Sequence, residues 1–237
     1  MNNYIEQVVE LIDLSQNMPL NEIIYEGLRT AIIRGVIPTG ERINEKFFSQ
    51  QLNVSRTPIR EALRRIQDED IVTYIPNYGI VVRQFTQDDV KEIYLLRTAL
   101  DILASENAMR MMTEEDFTTM ENLLLRTDEA QANGDVKLVI SLSSDFNSLI
   151  YAFARMPRLE TIQNRLRDYL QRFRDISLTA DERRKRALSE HWMIFRCLKN
   201  KNNEQLKMVI SEHLSLSEYF ISIELAKEEE NRSEEIY

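Results

Sequence analysis

The stretch from Val54 to Ile66, V-S-R-T-P-I-R-E-A-L-R-R-I, constrains the fold more than any other part of the chain. Ser55 or Thr57 can cap free backbone N–H groups, and Pro58 suits the first turn of a helix, where its missing N–H costs nothing. The spacing predicts a helix that begins near Thr57. Ile59, Ala62, Leu63 and Ile66 then fall at i, i+3, i+4 and i+7 and make one apolar stripe, while Arg60, Arg64 and Arg65 point elsewhere. One face packs and the other is cationic. A helix anchored this way can offer Arg to guanine O6 and N7 in a major groove, or to phosphate. The competing reading is a solvated basic face, and the flanking segments favour the first.

A chain of 237 residues suits one large domain or two small ones, and 43% hydrophobic with 29% charged residues is ordinary for a globular protein. No stretch approaches the roughly 20 uninterrupted apolar residues of a membrane span, and the N-terminus lacks a signal-peptide layout. The expectation is a cytoplasmic protein with no membrane partner. Cys197 is the only cysteine, which excludes an internal disulfide framework and agrees with a reducing compartment.

A formal charge of −9 runs against nucleic-acid binding, which needs local positive potential. The distribution resolves the conflict. Residues 1–86 carry 9 Lys and Arg against 11 Asp and Glu, and the remainder carries 21 against 28. Between Arg42 and Arg65, however, six basic residues face only Glu45 and Glu61, a local excess of +4 centred on the arginine helix.

In chain order, Ile5, Val8, Val9 and Ile12 share a helical face, and Asn17-Met18-Pro19 breaks it. A second helix runs from Leu20 to Gly35, followed by the turn Pro38-Thr39-Gly40. Ile43-Asn44-Glu45 opens a third, which Asn53 ends just before the arginine helix, a helix-turn-helix spacing. Beyond it, the β-branched runs Ile71–Ile75 and Ile80–Arg83 flank Pro76-Asn77-Tyr78-Gly79, the pattern of a β-hairpin. Three helices and a hairpin make a winged helix-turn-helix.

The strings G-V-I-P-T-G-E-R-I-N-E at 35–45, V-S-R-T-P-I-R-E-A-L-R-R at 54–65 and Y-I-P-N-Y-G-I-V-V at 74–82 closely resemble the N-terminal domain of GntR-type bacterial transcription regulators. The resemblance covers roughly residues 20–83. It implies binding to double-stranded operator DNA as a homodimer, with contacts at Lys46, Ser55, Arg56, Thr57, Arg60, Tyr78 and Gly79.

From Thr86 the pattern is helical, with helices expected near 88–111, 114–132, 135–154, 157–178, 181–199 and 203–228 and a frayed acidic end after Glu228. The expected organisation is thus mainly α: a winged helix-turn-helix domain with a small hairpin wing over 1–86, and an all-helical effector-binding and dimerisation domain over 87–237. The second part resembles the FCD domain of FadR-like regulators through R-T-A-L-D at 97–101, S-x-x-x-N at 143–147, M-P-R-L at 156–159, E-H at 190–191 and S-E-H-L at 211–214. Many members of that subfamily hold a divalent metal with an Asp/Asn-x-x-x-His pair and two later histidines. His191 and His213 match the later pair, whereas Ser143 and Asn147 stand where the earlier pair belongs. A metal held by His191, His213 and the Asn147 amide, zinc or nickel by donor type, would be weakly bound.

Helical faces can be read without the family. Arg97, Ser143, Asn147, His191 and His213 each fall on an apolar stripe, which is costly unless they share partners or a ligand. Two readings stay open: separately satisfied core residues, or an effector pocket in which Arg97 calls for a small carboxylate. The run Arg183-Arg184-Lys185-Arg186 reads as a solvated or interface face, and Cys197 as inert. A metal-dependent enzyme built on the His pair, or a ligand-free helical scaffold, are the rival functions. No phosphate loop, nucleophile elbow or His-Glu-x-x-His helix supports an enzyme.

Overall fold

The structure is a computed structural model that describes residues 4–235, with side-chain surroundings up to residue 230. Two compact units divide the chain, one ending at Phe85 and the other beginning at Thr86.

In the first unit the arginine helix, α4 (Arg56–Asp68), is organised by its apolar stripe: Ile59, Ala62, Leu63 and Ile66 are all fully buried. It packs on α2 (Leu20–Ile33), whose Ile24 and Leu28 are equally inaccessible. Arg65 clamps the pair, donating to Glu22 at 2.5 Å with its guanidinium 3.7 Å from the Tyr25 ring centre, and Arg29 bridges to Glu69 at 2.8 Å. Helix α1 (Ile5–Leu11) lies close against α2 because Gly27 leaves room: a Cβ there would meet the Leu11 carbonyl at 3.2 Å and the Ile12 side chain closer still.

The third helix, α3 (Glu45–Gln51), starts on Asn44, whose side chain accepts from the Phe47 N–H. The turn into α4 is closed by Asn53 at φ 52° and by the Ser49 hydroxyl, which donates to the Val54 carbonyl at 2.7 Å. Helix α4 begins one residue earlier than expected. Ser55 holds the N-cap position but makes no capping bond through its side chain.

The hairpin is present as β2 (Val72–Ile75) and β3 (Gly79–Val82). A third strand was not expected: β1 (Arg42–Ile43) pairs antiparallel with β3, Ile43 opposite Ile80, giving the order β1-β3-β2. Two residues show no readable alternation, so only the ladder itself reveals β1.

The second unit is all helix: α5 (Gln87–Met111), α6 (Glu114–Ala132), α7 (Val136–Ala154), α8 (Pro157–Tyr169), α9 (Gln171–Ser177), α10 (Asp181–Lys199) and α11 (Asn203–Glu235). Capping boxes at Thr86/Asp89 and Thr113/Asp116 start α5 and α6, and Asp135 caps α7. Arg155 ends α7 in the left-handed conformation, and Pro157 opens α8.

Two expectations are corrected here. The single helix over 157–178 breaks at Leu170 into α8 and α9, with no Gly or Pro nearby to announce it. Leu170 is buried at the break, so packing fixes the change of direction. Helix α11 continues past Glu228 to Glu235.

Candidate functional site

The sequence-selected DNA-contact residues lie at the starts of α3 and α4 and at the hairpin tip. Lys46, Ser55, Arg56, Thr57, Arg60 and Tyr78 are exposed and Gly79 is half-buried. Arg60 donates to Glu45 at 3.0 Å, tying the first turn of α4 to that of α3. The guanidinium of Arg42 sits 5.3 Å from the centre of the Tyr78 ring, so a second arginine borders the tip. Gly79 has φ +114°, and a Cβ there would come within 3.3 Å of Arg42 Nε. Only glycine adopts that backbone without strain.

In the helical unit, residues from five segments converge on one cavity of about 30 Å³. All five residues singled out from helical faces line it: Arg97 from α5, Ser143 and Asn147 from α7, His191 from α10 and His213 from α11. The break at Leu170 brings in Arg174 from α9, and α10 adds Arg183.

His191 is fully enclosed, stacked on Phe146 with ring centres 4.3 Å apart, and its ring centre lies 5.1 Å from that of His213. Burial first, then the charges of His213 and Arg183, holds the His191 pKa well below its ordinary value, so the ring is neutral. His213 Nδ1 lies 2.7 Å from Glu190 Oε2. Burial pushes the Glu190 carboxyl up, but the hydrogen bond and charge of His213, with Arg183, leave it below the ordinary carboxylate value.

Arg97 has a neighbour that sequence reasoning missed. Asp101, one turn along α5, lies 3.8 Å from it. The other Asp101 oxygen accepts from Tyr151 and Gln163, both at 2.5 Å, and Arg97 Nε has no hydrogen-bond partner.

The basic run at the head of α10 also needs correction. Arg183 and Arg184 are buried, not solvated. Arg183 donates to Ser217 at 2.8 Å and pairs with Glu190 at 3.5 Å, while Arg184 donates to the carbonyls of Leu178 and Thr179 at 3.0 and 2.5 Å. Only Lys185 and Arg186 face solvent. The local cue that could have found the buried pair is Glu190, seven residues and so two turns beyond Arg183 on the same face. Cys197 is buried, and burial raises its thiol pKa.

The residues do not fit a divalent metal. Among the described residues no group of three or more His, Cys, Asp or Glu side chains is placed to hold a metal ion, and such ions usually take three or more protein ligands. Three guanidiniums lining the same cavity oppose a further cation.

Comparison with known proteins agrees with both halves of the fold. Residues 20–82 match the family described as bacterial regulatory proteins, gntR family, and residues 92–216 match the FCD domain. The chain is 32% identical over 192 residues to the uncharacterized HTH-type transcriptional regulator YdhC of Bacillus subtilis (strain 168), covering 81% of this chain and 86% of that protein. It is 26% identical over 202 residues to the HTH-type transcriptional repressor RspR of Escherichia coli (strain K12), covering 85% and 88%. Among solved structures, E. coli McbR/YncC superposes with a TM-score of 0.68 at 23% identity over 86% of this chain and 97% of that one, a likeness of fold. No described helix is long and apolar enough to cross a membrane. With a matching winged helix-turn-helix and a matching helical domain, the chain belongs to the GntR family of DNA-binding bacterial transcription regulators and is of the FCD type.

Proposed function

We propose that the protein is a homodimeric, ligand-responsive regulator: the exposed ends of α3 and α4 and the hairpin tip engage a palindromic operator, and the cavity in the helical unit binds a small carboxylate that alters operator affinity. The observation that carries this reading is the convergence of Arg97, Ser143, Asn147, His191 and His213, from four helices, on one enclosed cavity with unpaired donors. Buried polar groups normally find partners, and a group of unpaired donors calls for an acceptor that arrives from outside.

On the DNA side, Arg56 and Thr57 open a helix whose opposite face is fully buried, so the exposed edge is rigidly presented. Arg56 and Arg60 are assigned to base edges or phosphates, Lys46, Ser55 and Thr57 to the backbone, and Tyr78 and Gly79 to the wing contact. Self-association is supported by α5, where Leu95 is 74% exposed and Leu96 and Leu103 are exposed on the same helix. Contiguous exposed leucines mark interaction surfaces. Ligand and DNA would then be coupled through their differential affinity for two arrangements of the dimer.

The test has two arms. Selection of bound duplexes from a random pool should return a two-fold symmetric site, and a thermal-shift screen of small carboxylates should raise the melting temperature in proportion to RT ln(1+[L]/Kd). In Arg97→Ala the carboxylate-induced rise should vanish while duplex affinity persists. A rise that survives this substitution removes Arg97 from the sensor.

A further inference from the structure

The cavity is lined by three arginines and by no carboxylate. Arg97, Arg174 and Arg183 line it, and Arg167 of α8 lies close enough to depress the pKa values of His191 and Arg174. Four carboxylates lie near these four guanidiniums, Asp101 and Glu190 beside Arg97 and Arg183 and Asp168 and Asp175 near Arg167 and Arg174, but none of them lines the cavity. Asp101 also accepts from Tyr151 and Gln163, and Glu190 is shared by Arg183, His213 and the exposed Arg186. Arg167 donates to the Ser144 hydroxyl and carbonyl at 2.7 and 3.2 Å, both neutral acceptors.

The unpaired atoms repeat the pattern. Arg97 Nε, Arg174 Nε, Arg183 Nε and His191 Nδ1 are enclosed without a hydrogen-bond partner. Guanidinium nitrogens only donate, and a neutral imidazole nitrogen can do so in the right tautomer. Burial pushes the Arg174 guanidinium down to about 10, with Arg167 and Arg97 adding to the effect, the expected strain of cations gathered in a poorly hydrated space. A lining of three guanidiniums without a carboxylate is completed by acceptor oxygens that carry more than one negative charge. A guanidinium fork matches the paired oxygens of a carboxylate or a phosphate.

We propose that the cavity takes a compact dianion, either two carboxylates on a short carbon chain or one phosphate group, held directly by Arg97, Arg174 and Arg183 with no metal ion between them. The proposal rests on the sensor reading above and narrows it: two charges rather than one, and arginines in place of the metal implied by the subfamily pattern. Size points the same way. A cavity of about 30 Å³ has room for only one or two water-sized spheres, so the ligand is small and its entry moves arginine side chains outward.

The test is calorimetric titration of the full-length, untagged protein, before and after dialysis against a chelator. Malonate, succinate and inorganic phosphate serve as dianionic probes, acetate and butyrate as monoanions. We expect at least one dianion to bind tenfold or more tighter than both monoanions, with no change on chelation, and Arg174→Gln to lower that affinity at least tenfold. Arg174 makes its side-chain hydrogen bond to the neighbouring Gln171, so its variant should fold, and the comparison of mono- and dianions on the wild-type protein needs no variant at all. Preference for malonate or succinate identifies a dicarboxylate, and preference for phosphate identifies a phosphate group; either supports the proposal. Equal binding of mono- and dianions, or binding that chelation abolishes and added Zn²⁺ or Ni²⁺ restores, overturns it while leaving a carboxylate sensor in place. Absence of binding by all five anions removes the dianion and the carboxylate sensor together.

Discussion

The two units of this protein use arginine in opposite ways. In the first, Arg56, Arg60 and Arg64 stand in water on the outer face of α4, and the acidic contact of Arg60 with Glu45 is a surface pair worth little. In the second, Arg97, Arg167 and Arg183 are buried against α5, α7, α8, α10 and α11, where an unpaired charge is costly. Exposed arginines are kept for a partner as large as a duplex, which supplies its own desolvation and counterion release. Enclosed arginines suit a partner small enough to be surrounded. On the proposed reading, one residue type serves two ligands according to its burial.

Substitutions at the two sets should therefore separate cleanly. Arg56→Ala and Arg60→Ala are each expected to weaken specific operator binding by about 1–3 kcal/mol without altering the melting temperature. Arg184→Ala should do the reverse: the melting temperature falls because the carbonyls of Leu178 and Thr179 lose their donor, while operator affinity per folded molecule holds. Gel-shift titrations at fixed salt, paired with thermal melts, would measure both. Equal losses of operator affinity from all three variants would break the distinction between the units.

A smaller effect is expected at the wing. Gly79→Val forces a β-branched residue into φ +114° against Arg42, a strain of about 1–2 kcal/mol, so the tip should distort and DNA affinity should drop. The circular dichroism of the helical unit should stay native. Undiminished affinity with a native spectrum would argue against a wing contact.

The smallest effect lies in the pH dependence of the cavity. His191 has a depressed pKa in the folded chain and an ordinary value of 6.5 when unfolded. The unfolded state therefore gains a proton as pH falls through 6.5 while the folded state does not, and stability falls with it. At pH 5.5 the loss from this one group should reach about 1 kcal/mol. Denaturant titrations from pH 7.5 to 5.5 should show a shallower decline in His191→Gln than in wild type. Identical slopes would mean that His191 is not held neutral by Phe146, His213 and the surrounding arginines.

Local physics made much of the first unit legible. The α4 stripe needs only the helical period, the turn before it needs only Asn53, and the hairpin is announced by β-branched runs around Gly79; all three are present. Strand β1 was missed because its partner lies almost forty residues away. In the second unit the helix start at Thr86 and the inward faces of Arg97, Ser143, Asn147, His191 and His213 were readable for the same reason, since each is a property of a single helix.

What the sequence by itself determined was therefore every feature whose cause lies within a few turns: the helices, their polar residues on apolar faces, and the arginine helix that belongs to a DNA-binding family. Tertiary structure alone decided the break at Leu170, the inward turn of Arg174 and the closure of Ser217 and Gln131 over Arg183 and Arg184, because these depend on packing between helices. A run of four basic residues is indistinguishable in sequence from a solvated surface. Only when Ser217 of α11 and Gln131 of α6 close over it, beside Glu190 of its own helix, does half of that run become interior, and with it the charge of the cavity.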